Sequence, residues 1–340
     1  MKRLLLLFLL SGCSFKQADP VKLDLPANLQ REMPVTAHNP LSREGIALGK
    51  KLFYDPSLSA NGQVSCATCH QPELAFSEGS ALSSRGVSAR RLLRHVPTLT
   101  NVAFYDRYFW EGGAANLESM VFGPLRHADE MGADLGALPE QLAADDAYPD
   151  MFARAFGTDS IHVVYVARAL AQYMRTLVSA DSRYDRYIRQ EGGQLTPLER
   201  QGMRLLQQKC GSCHRFEPGR ADFFTDFSYH NNGLDSIYPD GHENIYKGRF
   251  RITYDSADMG AYKTPSLRNL ALTAPYMHDG RFATLEQVME HYRDGLKATP
   301  YLDSALYQNT GKPGIPISVA EEKAMIAFLE SLTSETRAQR

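Results

Sequence analysis

The sequence predicts a mainly α fold made of two similar halves. Three observations carry this: apolar residues recur at helical spacing in several stretches, few segments read as long strands, and a Cys-x-x-Cys-His string occurs twice, each time after a candidate helix. The strings are "CATCH" at 66–70 and "CGSCH" at 210–214. With 340 residues the chain is long enough for one large or two ordinary domains, and the repeat decides for two. A net charge of −2 argues against a basic face for nucleic acid or a polybasic membrane patch.

Taken in order, the chain opens with Lys2 and Arg3, an apolar run from Leu4 to Leu10, and then Ser11-Gly12-Cys13. The run is far shorter than the ~20 residues of a membrane span, so it reads as an export signal. Its Leu-Ser-Gly-Cys ending resembles a bacterial lipobox, which predicts a signal peptide over 1–13 and a mature chain lipid-anchored at Cys13 on the periplasmic side. Ser14, not an acidic residue, follows and points to the outer membrane; the alternative is ordinary cleavage that discards Cys13. Residues 14–41, with Pro20, Pro26, Pro34 and Pro40, read as a tether.

A first domain follows over 42–190. "SREGIALGKKLFYD" gives a helix with Ile46, Leu48, Leu52 and Phe53 on one face, leading to the first cysteine string. "HVVYVARALAQYMRTLV" at 162–178 places Val163, Val166, Ala167, Leu170, Tyr173, Met174 and Leu177 at helical spacing, as a core helix. The polar "EGGQ" at 191–194 opens the second domain, 191–340. There "LTPLERQGMRLLQQKC" starts with Thr196 as cap, Pro197 next and Glu199 three after the cap, a capping-box pattern. A late helix starts at Ser318 and is expected to bury Val319, Met325, Ile326 and Leu329.

With Cys13 set aside, all other cysteines, Cys66, Cys69, Cys210 and Cys213, lie in the two strings, and none remains for a disulfide framework. A four-cysteine zinc site has no need of the histidine that follows each pair. A redox dithiol wants a βαβ setting, and none is visible. Covalent haem attachment uses every residue: two thiols add to the vinyl groups of one haem and the next histidine reaches the iron. Two c-type haems are therefore expected, with His70 and His214 as proximal ligands.

An iron capped on both sides passes electrons, whereas one with an open side can bind peroxide or oxygen. For the second haem, the helix in "TLEQVMEHYRDG" offers Met289, His291 and Tyr292. Leu285, Val288, Met289 and Tyr292 share its inner face and His291 falls off that face; by spacing alone Met289 and Tyr292 are comparable.

"FWEGGAANLESMVFGPLRHADEM", "KTPSLRNLALTAPYMHDGRFATLEQ" and both cysteine strings resemble the bacterial dihaem cytochrome c peroxidase superfamily, which includes the MauG-like enzymes that oxidise tryptophan residues of a partner protein. The resemblance runs from about residue 40 to 335. It implies two cytochrome-c-like haem domains packed against each other, the N-terminal one peroxidatic and the C-terminal one for electron transfer. Tyr292 falls where peroxidases present methionine and MauG-like enzymes tyrosine, so Tyr292 is expected on the second iron. The loop "SEGSALSSRGVSARRLLR" lacks the histidine that caps the first iron in many peroxidases, so that iron is expected to be open.

By the same resemblance Glu130 is the distal acid and base, with His127 in reserve. Trp110, the chain's one tryptophan, lies between the haems as an electron relay, and Pro124 walls the pocket. Met120 departs from the family's glutamine, exchanging a hydrogen-bond partner for a soft sulfur. His95 replaces an asparagine that helps hold a calcium between the domains. Thr273 and Pro275 match that site's carbonyl positions, so calcium at His95, Thr273 and Pro275 is an open expectation, as is His95 on the first iron. His230 and His242 receive no role. The implied reaction uses hydrogen peroxide, with electrons from a small cytochrome c or copper protein, or from aromatic residues of a protein substrate. The rival is a membrane-tethered dihaem electron carrier with both irons capped, by Met120 or His95. The sequence leaves a homodimer open.

Overall fold

The computed structural model describes residues 18–29, 31–158, 160–217, 223–238, 244–308, 310–334 and 337–338. Cys13 and the anchor expected there lie outside the described residues, as does His242. Among the described residues no helix is long and apolar enough to cross a membrane.

The fold is mainly α. The first half carries α1 (Arg43–Tyr54), α2 (Cys66–Cys69), α3 (Leu117–Arg126), α4 (Leu138–Ala143), α5 (Ala147–Phe156) and α6 (Val163–Met174). The second carries α7 (Arg183–Ile188), α8 (Pro197–Cys210), α9 (Phe250–Thr253), α10 (Leu285–Glu290) and α11 (Val319–Ser331). Four two-residue strands pair antiparallel, β1 (Leu177–Val178) with β4 (Arg337–Ala338) and β2 (Tyr229–His230) with β3 (Tyr262–Lys263).

Each cysteine string is approached by a capped helix. Ser42 caps α1 by accepting from the Gly45 amide at 3.0 Å. Thr196 and Glu199 cap α8 reciprocally, at 3.2 and 2.7 Å. α1 lies on α6 and α8 lies on α11, and both contacts need a glycine: a Cβ on Gly49 would fall onto the carbonyl of Ala169, and one on Gly202 onto the carbonyl of Ala324. In α11 the expected burial of Val319 does not hold. Val319 is 78% exposed because it directly follows the Ser318 cap, and the stripe facing α8 begins a turn later with Ala324, Met325, Phe328 and Leu329.

The repeat extends well beyond the cysteine strings. Pro97–Pro124 and Pro265–Tyr292 correspond position for position without a gap. Asn101 and Asn269 both take left-handed φ, 57° and 61°, ahead of short 3-10 turns at Val102–Phe104 and Leu270–Leu272. The bridge Tyr108–Ala114 matches Tyr276–Phe282, and the caps Asn116 and Thr284 start α3 and α10 at equivalent places.

One apolar core runs from Leu48 to Leu177 and a second from Tyr184 to Leu332. A smaller cluster of Leu29, Phe104, Val178, Ala180 and Phe223 draws on both halves. Leu29 corrects the expected tether over 14–41: from residue 18 onward the described chain lies on the body as a strap. Asn28 donates to Asp185 at 3.1 Å, Arg31 to the Phe104 carbonyl at 2.9 Å, and Asn39 to Glu118 at 2.6 Å. Polar composition suggested a free linker, but these side chains satisfy buried partners of the body, which fixes the segment.

Candidate active site

Both proximal histidines are oriented in the same way. His70 Nδ1–H donates to the Phe76 carbonyl at 2.9 Å and His214 Nδ1–H to the Phe224 carbonyl at 3.0 Å. Phe76 and Phe224 hold left-handed φ of 57° and 53°. That conformation costs energy for a bulky residue, and here it turns a carbonyl toward the ring. Fixing Nδ1 as the donor leaves Nε2 as the free lone pair, the form a metal-binding imidazole takes. Burial lowers the basicity of both rings, which keeps them neutral.

The four thiols are free and half-buried. Burial pushes Cys66 and Cys210 up to about 12 and Cys69 to about 11. A dithiol redox centre depends on a depressed thiol, so this environment speaks against one. Cys213 Sγ, Asp226 and His230 come close enough to suggest a metal cluster, but a cysteine committed to a haem vinyl group has no thiolate to give.

A cavity of about 210 Å³ opens beside His214. It is lined by Cys210, Cys213, Met289 and Tyr292 at one end and continues to Trp110 and His95. Met289 is packed in the second core with Leu206 and Leu285. Tyr292 is instead held by Asn232, and burial pushes its phenol up to about 12. As expected, Leu285, Val288, Met289 and Tyr292 share the face that lines the cavity and His291 falls off it. His291 is nevertheless buried, on another side, where its Nε2–H donates to the Asn232 carbonyl at 2.9 Å.

In the first half α3 presents Met120, which is buried, and Pro124, which is half-buried within the helix. Glu130 follows on the loop after α3. Burial raises its carboxyl, opposed by the nearby His127, whose Nδ1 lies 3.6 Å from Glu130 Oε1. The 77–94 loop is docked on this segment. The Val87 amide donates to the Glu130 carbonyl at 2.8 Å, and a Cβ on Gly86 would meet the backbone of Asp129 and Glu130. Ser83 Oγ of the same loop is 3.7 Å from Cys69 Sγ.

Trp110 sits where the halves meet. Its Nε1–H donates to the His95 carbonyl at 2.9 Å, and its own carbonyl accepts from the Lys263 amide at 2.9 Å. His95 N–H donates in turn to the His278 carbonyl at 2.8 Å, and the His278 ring stacks on Tyr262 at 3.6 Å. Thr273 and Pro275 line the same cavity. His230, left without a role by sequence, is clamped between Asp226 at 2.8 Å and Asp303 at 2.5 Å, whose carboxylates raise its pKa.

Residues 43–193 match the family model for di-haem cytochrome c peroxidase. The methylamine utilization protein MauG of Methylorubrum extorquens is 35% identical over 336 residues, covering 96% of this chain and 90% of that protein. The chain belongs to the di-haem cytochrome c peroxidase family. The family is one of oxidoreductases with two c-type haems; the two cysteine pairs and the two oriented imidazoles fit that pair of groups, and the cavity beside His214 fits the second. The cytochrome c551 peroxidase of Nitrosomonas europaea is 31% identical over 293 residues, covering 85% of this chain and 84% of that one. Among solved structures, a MauG-like protein associated with microbial copper homeostasis superimposes with a TM-score of 0.78 at 34% identity, covering 93% of this chain and 96% of that one. The diheme peroxidase BthA of Burkholderia thailandensis, with a TM-score of 0.70 at 24% identity and coverage of 90% and 89%, shares the fold.

The residues missed by sequence reasoning are Asn232, His278 and Lys263. The signal for two of them was present: His278 is the repeat counterpart of Trp110, and Lys263 that of His95.

Proposed function

We propose that the chain reduces hydrogen peroxide at an N-terminal haem with an open face and draws electrons through a His214/Tyr292 haem. The observation that carries this reading is a register match: Pro124, which has no donor atom, stands in the first half where Tyr292 stands in the second. The 77–94 loop contains no histidine, methionine or cysteine, and its docking on Glu130 leaves the acid in place.

When bound, a c-type haem supplies an iron that takes peroxide and stores oxidising equivalents. Cys66 and Cys69 would hold the first haem, with His70 as a ligand to its iron; Cys210 and Cys213 would hold the second, with His214 and Tyr292 as ligands to its iron. Glu130 takes the proton from peroxide's inner oxygen and returns it to the outer one, so that the outer oxygen leaves as water. Its raised carboxyl and the neighbouring His127 suit it to both directions of transfer. Met120, packed in the first core, offers no group that exchanges protons, so proton movement falls to Glu130 and His127. Trp110, in the cavity that leads from Tyr292, relays electrons between the halves. A phenolate at Tyr292 favours oxidised iron and suits an enzyme that holds oxidising equivalents for a protein substrate's aromatic side chains; a small cytochrome or cupredoxin is the other donor.

The chain works on the periplasmic side, carried by its lipidated Cys13. Stopped-flow mixing of the diferric protein with peroxide tests the reading: a rapid spectral change without prior reduction is expected, and reaction only after partial reduction would overturn it.

A further inference from the structure

The junction between the halves is built from reciprocal contacts. His95 N–H donates to the carbonyl of His278, and Lys263 N–H donates to the carbonyl of Trp110. His95 and Lys263 are counterparts in the repeat, and so are Trp110 and His278. Their side chains are used differently: the His95 ring bonds within its own half, whereas Lys263 reaches across to the other. The His95 ring, buried at 4% exposure, donates from Nδ1 to the Ser80 carbonyl at 3.0 Å and faces the carbonyls of Ala81 and Thr273. Lys263 Nζ donates to the Arg107 carbonyl and lies 4.9 Å above the Tyr105 ring. Tyr105 and Arg107 are the counterparts of Thr273 and Pro275.

The calcium site implied by resemblance does not fit these residues. Calcium takes several oxygen ligands in an open shell. Here a side chain that offers only nitrogen stands among the carbonyls, and the buried carboxylate beside them, Glu78, is engaged at Oε1 by the Ser80 hydroxyl at 2.9 Å and by Arg85 at 3.0 Å, which leaves one oxygen, Oε2, for a cation that needs several. Gly280 packs directly on Ala81, whose backbone a Cβ there would strike.

We propose that His95 and Lys263 hold the two halves together without calcium, Lys263 by its side chain and His95 by a backbone that its ring anchors to Ser80, and that His95 is the positioning residue for Trp110. The side chain of His95 fixes its backbone between Ser80 and His278, and that backbone's carbonyl fixes the indole. The inference rests on Trp110 lying between the haem sites, but its test reads metal and indole rather than turnover, so its failure would leave the peroxidase reading standing.

The test uses the diferric holoprotein, the chain's single tryptophan and calcium itself as probe. After incubation with millimolar calcium and gel filtration, the wild type should retain none. EGTA should move neither the ultraviolet resonance Raman band of the indole N–H nor the two haem midpoint potentials. Stoichiometric calcium, or a chelator-induced shift, would overturn the proposal. In His95→Asn the indole band should move toward a weaker hydrogen bond and return when calcium is added. A band identical to wild type with and without calcium would remove His95 from the role. If the variant took up no haem, the wild-type arm alone would decide.

Discussion

Pro124 of α3 and Tyr292 at the end of α10 occupy one register position in the two halves of an internal repeat. A helix end that offers a phenol in one half offers a ring without a donor in the other. The division of labour between the proposed sites follows from that difference. Replacing Tyr292 by methionine should raise the midpoint potential of the second haem, because a thioether favours reduced iron more than a phenolate does. Spectroelectrochemical titration reads this; Met289→Leu, deep in the core, should leave the potential in place, and the opposite pattern would make Met289 the ligand.

Supplying a donor at the empty register should close the first site. Pro124→His is expected to convert its iron to a six-coordinate form and to suppress the peroxide reaction while haem content stays unchanged. Pyridine haemochrome analysis and stopped-flow absorbance check the two parts separately.

Glu130→Gln should slow the peroxide reaction by about 10²–10⁴-fold, the usual worth of a placed acid and base. The carboxylate form accepts the first proton, and burial raises this carboxyl. The rate should therefore climb with pH through a midpoint above the ordinary glutamate range. His127 opposes the rise, so His127→Ala should move that midpoint further up. A pH–rate profile unchanged in both variants would exclude the pair from proton transfer.

The second half depends on a buried ion pair. Arg268 holds both oxygens of Asp185, at 2.8 and 2.9 Å, with Asp185 fully buried and Arg268 1% exposed. Burial raises the Asp185 carboxyl, but Arg268 and Ser182 outweigh it and hold it below the ordinary range. A depressed carboxyl contributes stability that is present above its unfolded pKa and is lost as pH falls through the folded one. Asp185→Asn should cost about 3–5 kcal/mol near neutral pH, since it removes the buried countercharge of Arg268. The difference between wild type and variant should shrink in acid. Guanidinium melts at several pH values measure both.

Gly49→Ala and Gly202→Ala should each destabilise by about 1–3 kcal/mol, because a methyl group at either site meets backbone and not a movable side chain. Thermal melts of the two variants would test whether the halves share this packing device.

Much of the fold was legible because local signals agreed with it. Thr196 and Ser318 cap the helices they were expected to cap, and the apolar spacing of α1 and α6 matches most of what they bury. The strap was not legible, since Asn28, Arg31 and Asn39 look like linker residues until their distant partners are known. The inner face of α10 was legible from its spacing, but the burial of His291 off that face was not, because it depends on the distant Asn232 carbonyl. His70 and His214 were legible from their strings, while the carbonyls that orient them come from Phe76 and Phe224 in a backbone conformation that no bulky aromatic advertises. The reach of the repeat, and with it the match of Pro124 to Tyr292, was present in the sequence and became visible through paired bridges and caps.

Low-temperature EPR of the diferric protein tests the central claim most directly, because spin state reports how many strong ligands each iron has. One high-spin and one low-spin species in equal amounts are predicted, with the high-spin signal lost in Pro124→His. Two low-spin species in the wild type would contradict an open first site.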